Sequence, residues 1–372
     1  NLMLGPSRHS IVILPGIERM PLGSLRKLDL FVKEGGILIA TRRIPAIVPG
    51  LRTTDSDRQE FQAIVQGLFN GTNAAVKFVE NENDLGATLT KLLVPDAAVT
   101  PLAKDFGFVH RRTANADIYF VANTSNQKRS VEITFRSVKK GVESWDPMNG
   151  QAVAADVHRQ TAESTTVGLD FEPYQSHVIV FSNEMPHLQR PVSSETVAKI
   201  DLSSDWRVGF GSQASVPAGK VHSWADDDAT RYFSGIATYE RSFDIPAVLP
   251  KTAVLDFGEG TPLDVQPTRN GMQTWYDAPI REAALIYVNG QKAGSLWCPP
   301  YRLDIASFLK AGRNELRILV GNTALNYMAG RKLPDYRLLN LRYGERFQAQ
   351  DMDKVQPIAS GLLSTPTLIL TK

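Results

Sequence analysis

The hydrophobic pattern of residues 1–105 alternates between short apolar runs and helical spacing. Residues 11–14 form a continuous apolar run ended by Pro15-Gly16, which is typical of a parallel strand buried on both faces. Apolar residues then recur every three or four positions over residues 22–32, and further runs and helical spacings alternate after them. This order of strand and helix predicts a small doubly wound α/β domain over residues 1–105.

From residue 106 the pattern changes to the period of two that β-strands show. Residues 118–122 and 131–135 are rich in β-branched and aromatic side chains on either side of a polar segment, and they predict a hairpin. Similar runs continue to residue 183, so residues 106–183 are predicted to form a compact β-sandwich of immunoglobulin size. Residues 184–200 contain prolines and paired serines and are predicted to be a linker.

Residues 201–372 carry a second series of alternating runs, which predicts a two-sheet antiparallel sandwich. Asn289-Gly290 lies between two of these runs, and both residues tolerate the positive φ of a type I′ hairpin turn. Trp145 and Trp206 each stand beside turn-forming residues, where a strand bends over a sheet edge. We therefore expect both tryptophans to be buried in a core or at a domain junction.

Composition excludes several classes of partner. The formal charge is +2, from 41 Lys+Arg and 39 Asp+Glu, and the basic residues are scattered, so nucleic acid is not an expected partner. No apolar run approaches the ~20 residues that span a membrane, so no membrane partner is expected. Cys298 is the single cysteine, which excludes an intramolecular disulfide and favours a small buried side chain. The N-terminus lacks an initiator Met and a basic segment, so we expect the chain to be part of a longer protein.

The α/β region carries no recognisable catalytic motif. The loop at residues 15–20 follows the first predicted strand, where such sheets often bind ligands, but it has neither a G-x-G-x-x-G turn nor a P-loop lysine. Nothing in it would hold a pyrophosphate, and a scaffold role is favoured. The alternative is that Glu18 is the remnant of a nucleophile site, although no cysteine accompanies it.

Carboxylates and histidines elsewhere offer few candidate sites. Asp226-Asp227-Asp228 supplies the oxygen ligands that calcium prefers, but a solvated loop is the favoured interpretation. His110 and His177 have no partner at metal-ligand spacing and are expected to be structural. Two further carboxylate pairs give no reason to expect the raised pKa of a general acid: Asp256 with Glu259, and Glu345 with Asp351.

Aromatic residues in two loops are the candidates for sugar contact. Sugar recognition uses an aromatic face and planar hydrogen-bonding groups, and Trp275 and Tyr276 lie with Arg269 in a long segment inserted at residues 261–281. A second group surrounds the stiff Pro299-Pro300 corner and comprises Trp297, Tyr301 and Arg302. Packing of these side chains against a sheet or a neighbouring domain is the favoured interpretation for both groups. Of the two, the inserted segment is the better candidate for a functional surface.

Motifs along nearly the whole chain resemble the C-terminal region of glycoside hydrolase family 106, the α-L-rhamnosidases. The FSGIATYER and VNGQKAG patterns at 233–241 and 288–294 are also similar to the sugar-binding jelly rolls of family 2 enzymes. A departure is SGLLST at 360–365, where the family more often has Gly-Pro after the paired leucines. The supporting segments, in order, are IVILPGIERMPLGSLRKLDLFVKEGGILIA at 11–40, DIYFVANTS at 117–125, ESWDPMNGQ at 143–151, ALIYVNGQKAGSLWCPPYRLDI at 284–305, GRNELRILVGN at 312–322, RYGERFQAQDM at 342–352 and SGLLSTPTLIL at 360–370.

The resemblance implies three domains and an incomplete enzyme. It implies an amidotransferase-like α/β domain over 1–105, an Ig-like β-sandwich over 106–183 and a galactose-binding-like jelly roll over 201–372. The catalytic glutamates and an associated calcium ion are expected on a barrel of about 250 residues that precedes this region, so no catalytic residue, metal ligand or cofactor is assigned to this chain. The barrel is then a partner of the chain.

The resemblance also implies a function for the parent enzyme. It would cleave terminal rhamnose from plant glycans or glycosides, with rhamnose-containing oligosaccharides as partners and a periplasmic or extracellular location. The chain itself would be a non-catalytic accessory, carbohydrate-binding region. Two alternatives are a free-standing carbohydrate-binding module without hydrolase activity and a catalytic site in the α/β domain.

Overall fold

The computed structural model describes residues 2–5, 7–148, 150–184, 188, 195–246, 249–266, 274–332, 335–344 and 354–372. The chain divides into two compact units, Asn1–Pro95 and Asp96–Lys372. The division precedes the predicted boundary after residue 105, because Ala97–Thr100 pairs with Arg129–Phe135 in a sheet of the second unit. No helix in the described ranges is long and apolar enough to cross a membrane.

The first unit is an α/β structure whose elements match the sequence pattern. Strands Ile11–Pro15, Ile37–Thr41 and Val76–Val79 form a parallel sheet in that order. Thr54 starts the second helix with a capping box, in which its hydroxyl accepts from the Asp57 amide and the Asp57 carboxylate accepts from the Thr54 amide. The elements are β1 (Leu2–Leu4), β2 (Ser7–His9), β3 (Ile11–Pro15), α1 (Leu22–Lys33), β4 (Ile37–Thr41), α2 (Asp55–Phe69), β5 (Val76–Val79) and α3 (Leu85–Leu92).

The order of the described parallel strands corrects the predicted doubly wound sheet. Each strand lies beside the strand that precedes it in the sequence, so the strand order does not reverse. Right-handed crossovers then place α1 and α2 on the same face, where the two helices contact each other. Their apolar side chains cover Leu38 and Ala40, which are fully buried. The reversal of strand order at which doubly wound sheets bind ligands is therefore not found among the described strands.

Residues 97–182 form two antiparallel sheets around one apolar core, and we call this part the small sandwich. The sheet orders are β11-β10-β14-β8-β7 and β12-β13-β9-β6. Phe135, Ile179 and Phe181 are fully buried between them. The strands are β6 (Ala97–Thr100), β7 (Phe106–Arg112), β8 (Ala116–Asn123), β9 (Arg129–Phe135), β10 (Gly141–Trp145), β11 (Ala152–Ala154), β12 (Asp156–Gln160), β13 (Thr165–Phe171) and β14 (Ser176–Ser182).

The predicted hairpin between β8 and β9 is wrong, because these strands belong to different sheets. The segment between them carries the chain from one sheet to the other. The buried side chain of Asn123 fixes it by donating to the carbonyl oxygens of Gln127 and Glu172, at 2.8 and 3.1 Å. Its own carbonyl oxygen accepts from the Ser125 amide at 3.0 Å. A polar loop between two strand-like runs does not reveal whether the strands pair, since an intersheet crossing uses the same residue types.

Residues 196–371 form the large sandwich, with sheets β15-β28-β19-β25 and β17-β16-β18-β26-β23-β24 around a second core. Its first strand occupies part of the predicted linker, because Thr196–Asp201 pairs with Thr367–Thr371. The elements are β15 (Thr196–Asp201), β16 (Trp206–Phe210), β17 (Val216–Gly219), β18 (Ile236–Ile245), β19 (Thr252–Asp256), β20 (Thr261–Pro262), β21 (Tyr276–Asp277), β22 (Ile280–Arg281), β23 (Ala283–Val288), β24 (Gln291–Leu296), β25 (Arg302–Asp304), β26 (Gly312–Gly321), α4 (Leu325–Ala329), α5 (Arg337–Tyr343), β27 (Gly361–Leu362) and β28 (Thr367–Thr371).

Three sequence predictions about single residues have clear outcomes. Asn289 and Gly290 join β23 to β24 with φ of 50° and 81°, so the predicted hairpin turn is confirmed. Trp206 is 1% exposed, as predicted, and its indole donates to the Leu202 carbonyl at 2.8 Å. Trp145 is 41% exposed, so its predicted burial is wrong. It lies at the end of β10, on the face opposite the buried Val142, and period-two alternation turns it outward.

A cluster of charged groups lies at one end of the small sandwich. Asp117 is 4% exposed, and its carboxylate accepts from Arg112 at 2.7 Å and from Ser137 at 3.1 Å. His110 stands between Asp117 and Asp96, at 3.3 and 3.2 Å. Burial alone would raise the pKa of Asp117, but the hydrogen bonds from Arg112, His110, Ser137 and Lys139 lower it to about 2. The ionised carboxylate is therefore part of the folded structure.

We expect the two tryptophans to differ sharply in their contribution to stability. Trp206→Ala should lower the free energy of unfolding by ~3–5 kcal/mol, the usual cost of truncating a buried tryptophan. Trp145→Ala should change it by less than about 1 kcal/mol, as substitutions of exposed residues do. Urea unfolding followed by circular dichroism measures both. Equal losses for the two variants would contradict the assigned burial.

We also expect the Asp117 cluster to make stability depend on acid. The pKa of Asp117 in the folded chain, about 2, lies below the ordinary 3.8, so its contribution is complete above about pH 5 and is lost as the pH falls through 2. The shift corresponds to ~2 kcal/mol. Asp117→Asn should remove this part of the pH dependence and destabilise the chain at pH 7 by ~3 kcal/mol, because cationic partners are left unpaired.

The matched control for that variant is Asp228→Asn. Asp228 is in an ion pair with Arg231 at 2.9 Å, but its side chain is 92% exposed. We expect a change within ~0.5 kcal/mol and an unaltered acid profile. An Asp117→Asn variant that retains the full acid dependence would show that other carboxylates are responsible.

Candidate functional site

The described ends of the inserted segment are held by the small sandwich. Strands β20 and β21 pair with each other, and the Leu263 amide donates to the Trp275 carbonyl at 3.0 Å. The buried amide of Asn126 donates to the carbonyl oxygens of both Leu263 and Trp275, at 2.8 Å each. Both hydrogens of this side-chain amide are thus used across the two sandwiches, which fixes the base of the inserted segment.

Tyr174 makes a second connection between the sandwiches. It lies between β13 and β14 with a φ of 58°, a left-handed conformation that is uncommon for residues other than glycine. Its amide donates to the Ser125 carbonyl at 3.0 Å. Its hydroxyl accepts from the Trp275 amide at 3.1 Å, and its ring meets that of Tyr276 edge to face at 6.5 Å. Such strained residues are frequent at functional sites, where their neighbours hold them in place.

Tyr276 is fixed against the core of the large sandwich. Its hydroxyl accepts from the Gly260 amide at 3.0 Å, and burial raises its pKa. A side chain at Gly260 would come within 2.4 Å of the Tyr276 ring and of the Asp277 carbonyl oxygen, so only glycine fits there. The ring therefore has a single position, which is useful for a surface that binds a ligand.

The Pro299-Pro300 corner supplies the opposite wall. Trp297 is 58% exposed, whereas Tyr301 is only 5% exposed and its pKa is raised strongly, mainly by burial. Cys298 is partly buried and the pKa of its thiol is raised, first by burial and then by the charge of Asp146. An activated cysteine needs a lowered pKa, so this thiol is not a nucleophile candidate.

Both groups of aromatic candidates meet at one cavity of about 720 Å³. Tyr276 comes from the inserted segment, Trp297 and Tyr301 come from the proline corner, and Tyr174 and Met148 come from the small sandwich. The polar groups of the cavity include Asp277, Arg281 and Glu282. The carboxylate of Asp277 accepts from the guanidinium of Arg281, whose side chain is 18% exposed. Aromatic walls with a few fixed polar groups are characteristic of small-molecule sites.

Arg302 does not belong to this cavity. Its guanidinium donates to the Glu172 carboxylate, whose side chain is 16% exposed and lies 3.2 Å from the Lys128 ammonium. Lys128 also pairs with Glu259. These ion pairs connect the two sandwiches beside the proline corner and give Arg302 a role in holding that corner. Its role in sugar contact stays a prediction.

The remaining candidates of the inserted segment are only partly described. Trp275 is half-buried and contributes backbone hydrogen bonds, and it is not among the residues that line the cavity. Arg269 lies outside the described residues, as do Glu345 and Asp351.

Sequence reasoning missed Tyr174, Met148 and Arg281. A tyrosine directly after a proline, in the connection between two strand-like runs, is the available signal for Tyr174, but its partner Trp275 is about a hundred residues away along the chain.

Other candidate sites have structural explanations. Asp227 binds His222 at 2.7 Å and Asp228 binds Arg231, and the described residues contain no group of three or more His, Cys, Asp or Glu placed to hold a metal ion. Burial lowers the pKa of His177, which packs edge to face on Phe171. In the α/β unit, the Glu18 carboxylate lies 3.6 Å from Arg43. None of these groups forms a described metal or nucleophile site.

Comparison with known proteins identifies relatives among the glycoside hydrolases. Residues 3–159 match the Glyco_hydro_106 family, described as alpha-L-rhamnosidase. The solved structure of a rhamnosidase from Novosphingobium sp. PP1Y is 25% identical, with a TM-score of 0.69 over 96% of this chain and 33% of that chain. A curated protein of Formosa agariphila, named "Putative beta-glucuronidase", is 26% identical over 203 residues, which are 53% of this chain and 16% of that protein.

Similarity to family 2 enzymes is more distant. The solved β-glucuronidase of Faecalibacterium prausnitzii aligns over 49% of this chain with 16% identity and a TM-score of 0.32, too low to support an argument about fold. The chain spans 33% of the solved rhamnosidase and 16% of the curated relative. By its family match and by the fold shared along almost its whole length, the chain is related to the α-L-rhamnosidases of glycoside hydrolase family 106, as its sequence predicted.

Proposed function

We propose that this chain is a non-catalytic accessory region of an α-L-rhamnosidase-like glycoside hydrolase, and that its cavity contacts the sugar substrate. The parent enzyme would cleave terminal rhamnose from plant glycans or glycosides. The observation that carries the proposal is the meeting of Tyr276, Trp297 and Tyr301 at one cavity, from segments that are separate in the sequence. Relationship to a rhamnosidase family supports the choice of a sugar as ligand.

The chemistry of the cavity suits a saccharide. Aromatic rings offer apolar faces to the C–H groups of a pyranose, and Trp297 is exposed enough to do so. The Asp277–Arg281 pair and Glu282 offer planar donors and acceptors to hydroxyl groups. The structure favours Trp297 over Trp275 as the principal contact, because the Trp275 backbone is used to join the sandwiches.

Electrostatics supports an accessory role. Glycoside hydrolysis needs one carboxyl group with a raised pKa and a second carboxylate about 5–9.5 Å away. At the cavity, the carboxylate of Asp277 is already engaged by the guanidinium of Arg281. Hydrogen bonds and cations lower the pKa of Asp96 and Asp117 despite their burial. We assign the acid and its partner to the barrel that the family resemblance places before this region.

A free-standing carbohydrate-binding module is the second candidate function. The exposed position of Trp297 on the cavity favours it, since a binding module must present its aromatic surface without a partner domain. The two proposals differ in expected affinity. A cavity that forms only part of a substrate cleft binds free sugars weakly, whereas a binding module must hold them by itself.

We expect the isolated chain to show no glycosidase activity. The reason is that the proposal places both catalytic carboxyl groups on the barrel expected to precede this region. The test is the release of nitrophenol from a nitrophenyl α-L-rhamnoside. It is measured with the purified chain and with a longer protein that includes the preceding barrel. Activity that disappears in both Asp277→Asn and Glu282→Gln variants of the chain alone would overturn the accessory role.

We expect sugar binding to be weak and to depend on Trp297. Dissociation constants for rhamnose and rhamnosyl oligosaccharides should be no tighter than about 1 mM, equivalent to ~−4 kcal/mol. Trp297→Ala should weaken binding about tenfold, a loss of ~1.4 kcal/mol, because the exposed stacking face is removed. Trp275→Ala should have a smaller effect. Ligand-observed NMR and calorimetry measure these constants.

Tyr327→Ala is the matched control, because Tyr327 is 51% exposed on the large sandwich and does not line the cavity. Its affinity for rhamnose should equal that of the unaltered chain. Micromolar binding that Trp297→Ala abolishes would select the binding-module function. Weakening by Tyr327→Ala as great as by Trp297→Ala would show that sugar does not bind at the cavity.

A further inference from the structure

The large sandwich contains another cavity, with a volume of about 250 Å³. It lies between the β16–β17 hairpin and the segment that follows β17. Its walls are mostly apolar, and Val208, Trp224 and Tyr239 in them are almost fully buried. Lys220, His222 and Asp227 are its polar and charged residues. This distribution differs from that of the larger cavity, which has several polar groups among its aromatic walls.

An aromatic cluster forms one side of this cavity. Phe210 and Trp224 line it, and both pack against Phe233 behind them. The three rings meet edge to face, with centroid distances of 5.5 Å for Phe210–Trp224, 5.1 Å for Phe210–Phe233 and 5.6 Å for Trp224–Phe233. Aromatic rings favour this geometry, because the positive edge of one ring faces the negative face of another. A further ring beside Phe210 and Trp224 would extend the same pattern.

Trp224 is held in a fixed position. Its indole N–H donates to the Tyr239 hydroxyl at 2.5 Å, and its side chain is 2% exposed. Gly361 makes room for it, since a side chain there would lie 2.4 Å from the indole nitrogen. The wall of the cavity is therefore preorganised, and a ligand would bind without the cost of ordering it.

The polar residues of the cavity favour an anionic substituent on a bound ring. His222 is paired with Asp227 at 2.7 Å, and its other ring nitrogen faces the Lys220 carbonyl oxygen at 3.3 Å. The carboxylate of Asp227 is thus hydrogen-bonded to the imidazole of His222, and this hydrogen bond raises the pKa of His222. Lys220 is the remaining charged residue of the lining, and its charge is positive.

The volume of the cavity limits the size of the ligand. An apolar cavity of about 150 Å³ accommodates benzene, so a cavity of about 250 Å³ has room for one ring and a short substituent. Three or more fused rings would not fit. A pyranose has the right size, but it would place hydroxyl groups against Val208, Phe210 and Val221, where they would lose their hydrogen bonds to water.

We propose that this cavity binds a small aromatic acid, with its ring against Phe210 and Trp224 and its carboxylate towards Lys220. The proposal is independent of sugar binding at the larger cavity. The acid could be free in solution or the acidic aromatic part of a glycoside, because both present the same ring and carboxylate. Benzoate and a carboxyphenyl rhamnoside are the two probes that distinguish these sources.

Tryptophan indole signals in two-dimensional NMR of the 372-residue chain provide the test. The chain has five tryptophans, and the Trp224 signal is assigned from a Trp224→Phe variant. Benzoate titrated to about 10 mM should move the Trp224 signal with a dissociation constant near 1 mM, and should leave the Trp297 signal in place. Cyclohexanecarboxylate should bind at least threefold more weakly. A Trp224 signal that does not move would overturn the proposal.

Variants separate the parts of the proposal. Ala218→Leu fills the cavity and should abolish the benzoate shift, and Val221→Leu is the second variant if the first does not fold. Lys220→Gln should weaken the binding of benzoate about threefold and leave the affinity for benzyl alcohol unchanged. If the variant binds benzoate as tightly as the unaltered chain does, the preference for an acid is refuted. Trp297→Ala is the control and should bind benzoate normally. A shift that persists in the folded filled variants would place benzoate elsewhere.

The carboxyphenyl rhamnoside decides between the two sources. If the cavity serves the aromatic part of a glycoside, this probe should bind at least as tightly as benzoate and move the same signal. If the free acid is the ligand, the rhamnoside should bind more weakly, because the sugar blocks entry of the ring. Either result supports an aromatic-acid site. Failure of both probes overturns it while leaving the rhamnosidase relationship intact.

Discussion

The two hydrogen bonds of the Asn126 amide are the constraint on which the larger cavity depends. Asn126 belongs to the small sandwich and is 6% exposed, and its two N–H groups satisfy carbonyl oxygens of Leu263 and Trp275 in the large sandwich. A buried side-chain amide left without partners costs about 1–3 kcal/mol, so the inserted segment is favoured in the position where it supplies both acceptors. Tyr276 follows directly in the sequence, which transmits the position to the cavity wall.

The other connections reinforce this arrangement by different physical means. Tyr174 adds a hydrogen bond to the Trp275 amide, at the cost of a left-handed backbone conformation. The Glu172 carboxylate forms ion pairs with Arg302 and with Lys128, so ion pairs connect the proline corner to the small sandwich. Neutral hydrogen bonds thus hold one wall of the cavity and ion pairs hold the other. Since salt screens the partly exposed ion pairs more than the buried amide, the Asn126 wall is the less sensitive of the two to ionic strength.

The sequence predicts features that depend on neighbouring residues and misses those that depend on distant ones. The strands and helices of the first unit and the Asn289-Gly290 turn follow from local periodicity and φ preferences, and the structure has them where the pattern places them. Pairing between β8 and β9 was mispredicted because either sheet satisfies the same alternation. The aromatic candidates were recognisable by residue type, but their meeting at one cavity depends on partners more than a hundred residues away, such as Asn126 and Tyr174.

This origin of the cavity bears on its function. Neither sandwich contains the site by itself, because Tyr174 and Met148 come from one and Tyr276, Trp297 and Tyr301 come from the other. A carbohydrate-binding module that acts alone needs only its own sheet and loops. A cavity shared between two sandwiches suits a region whose parts stay together inside a larger enzyme, and the match of almost the whole chain to one third of a solved rhamnosidase is consistent with that arrangement. The shared cavity therefore favours the supporting role that we propose over the alternative of independent sugar capture.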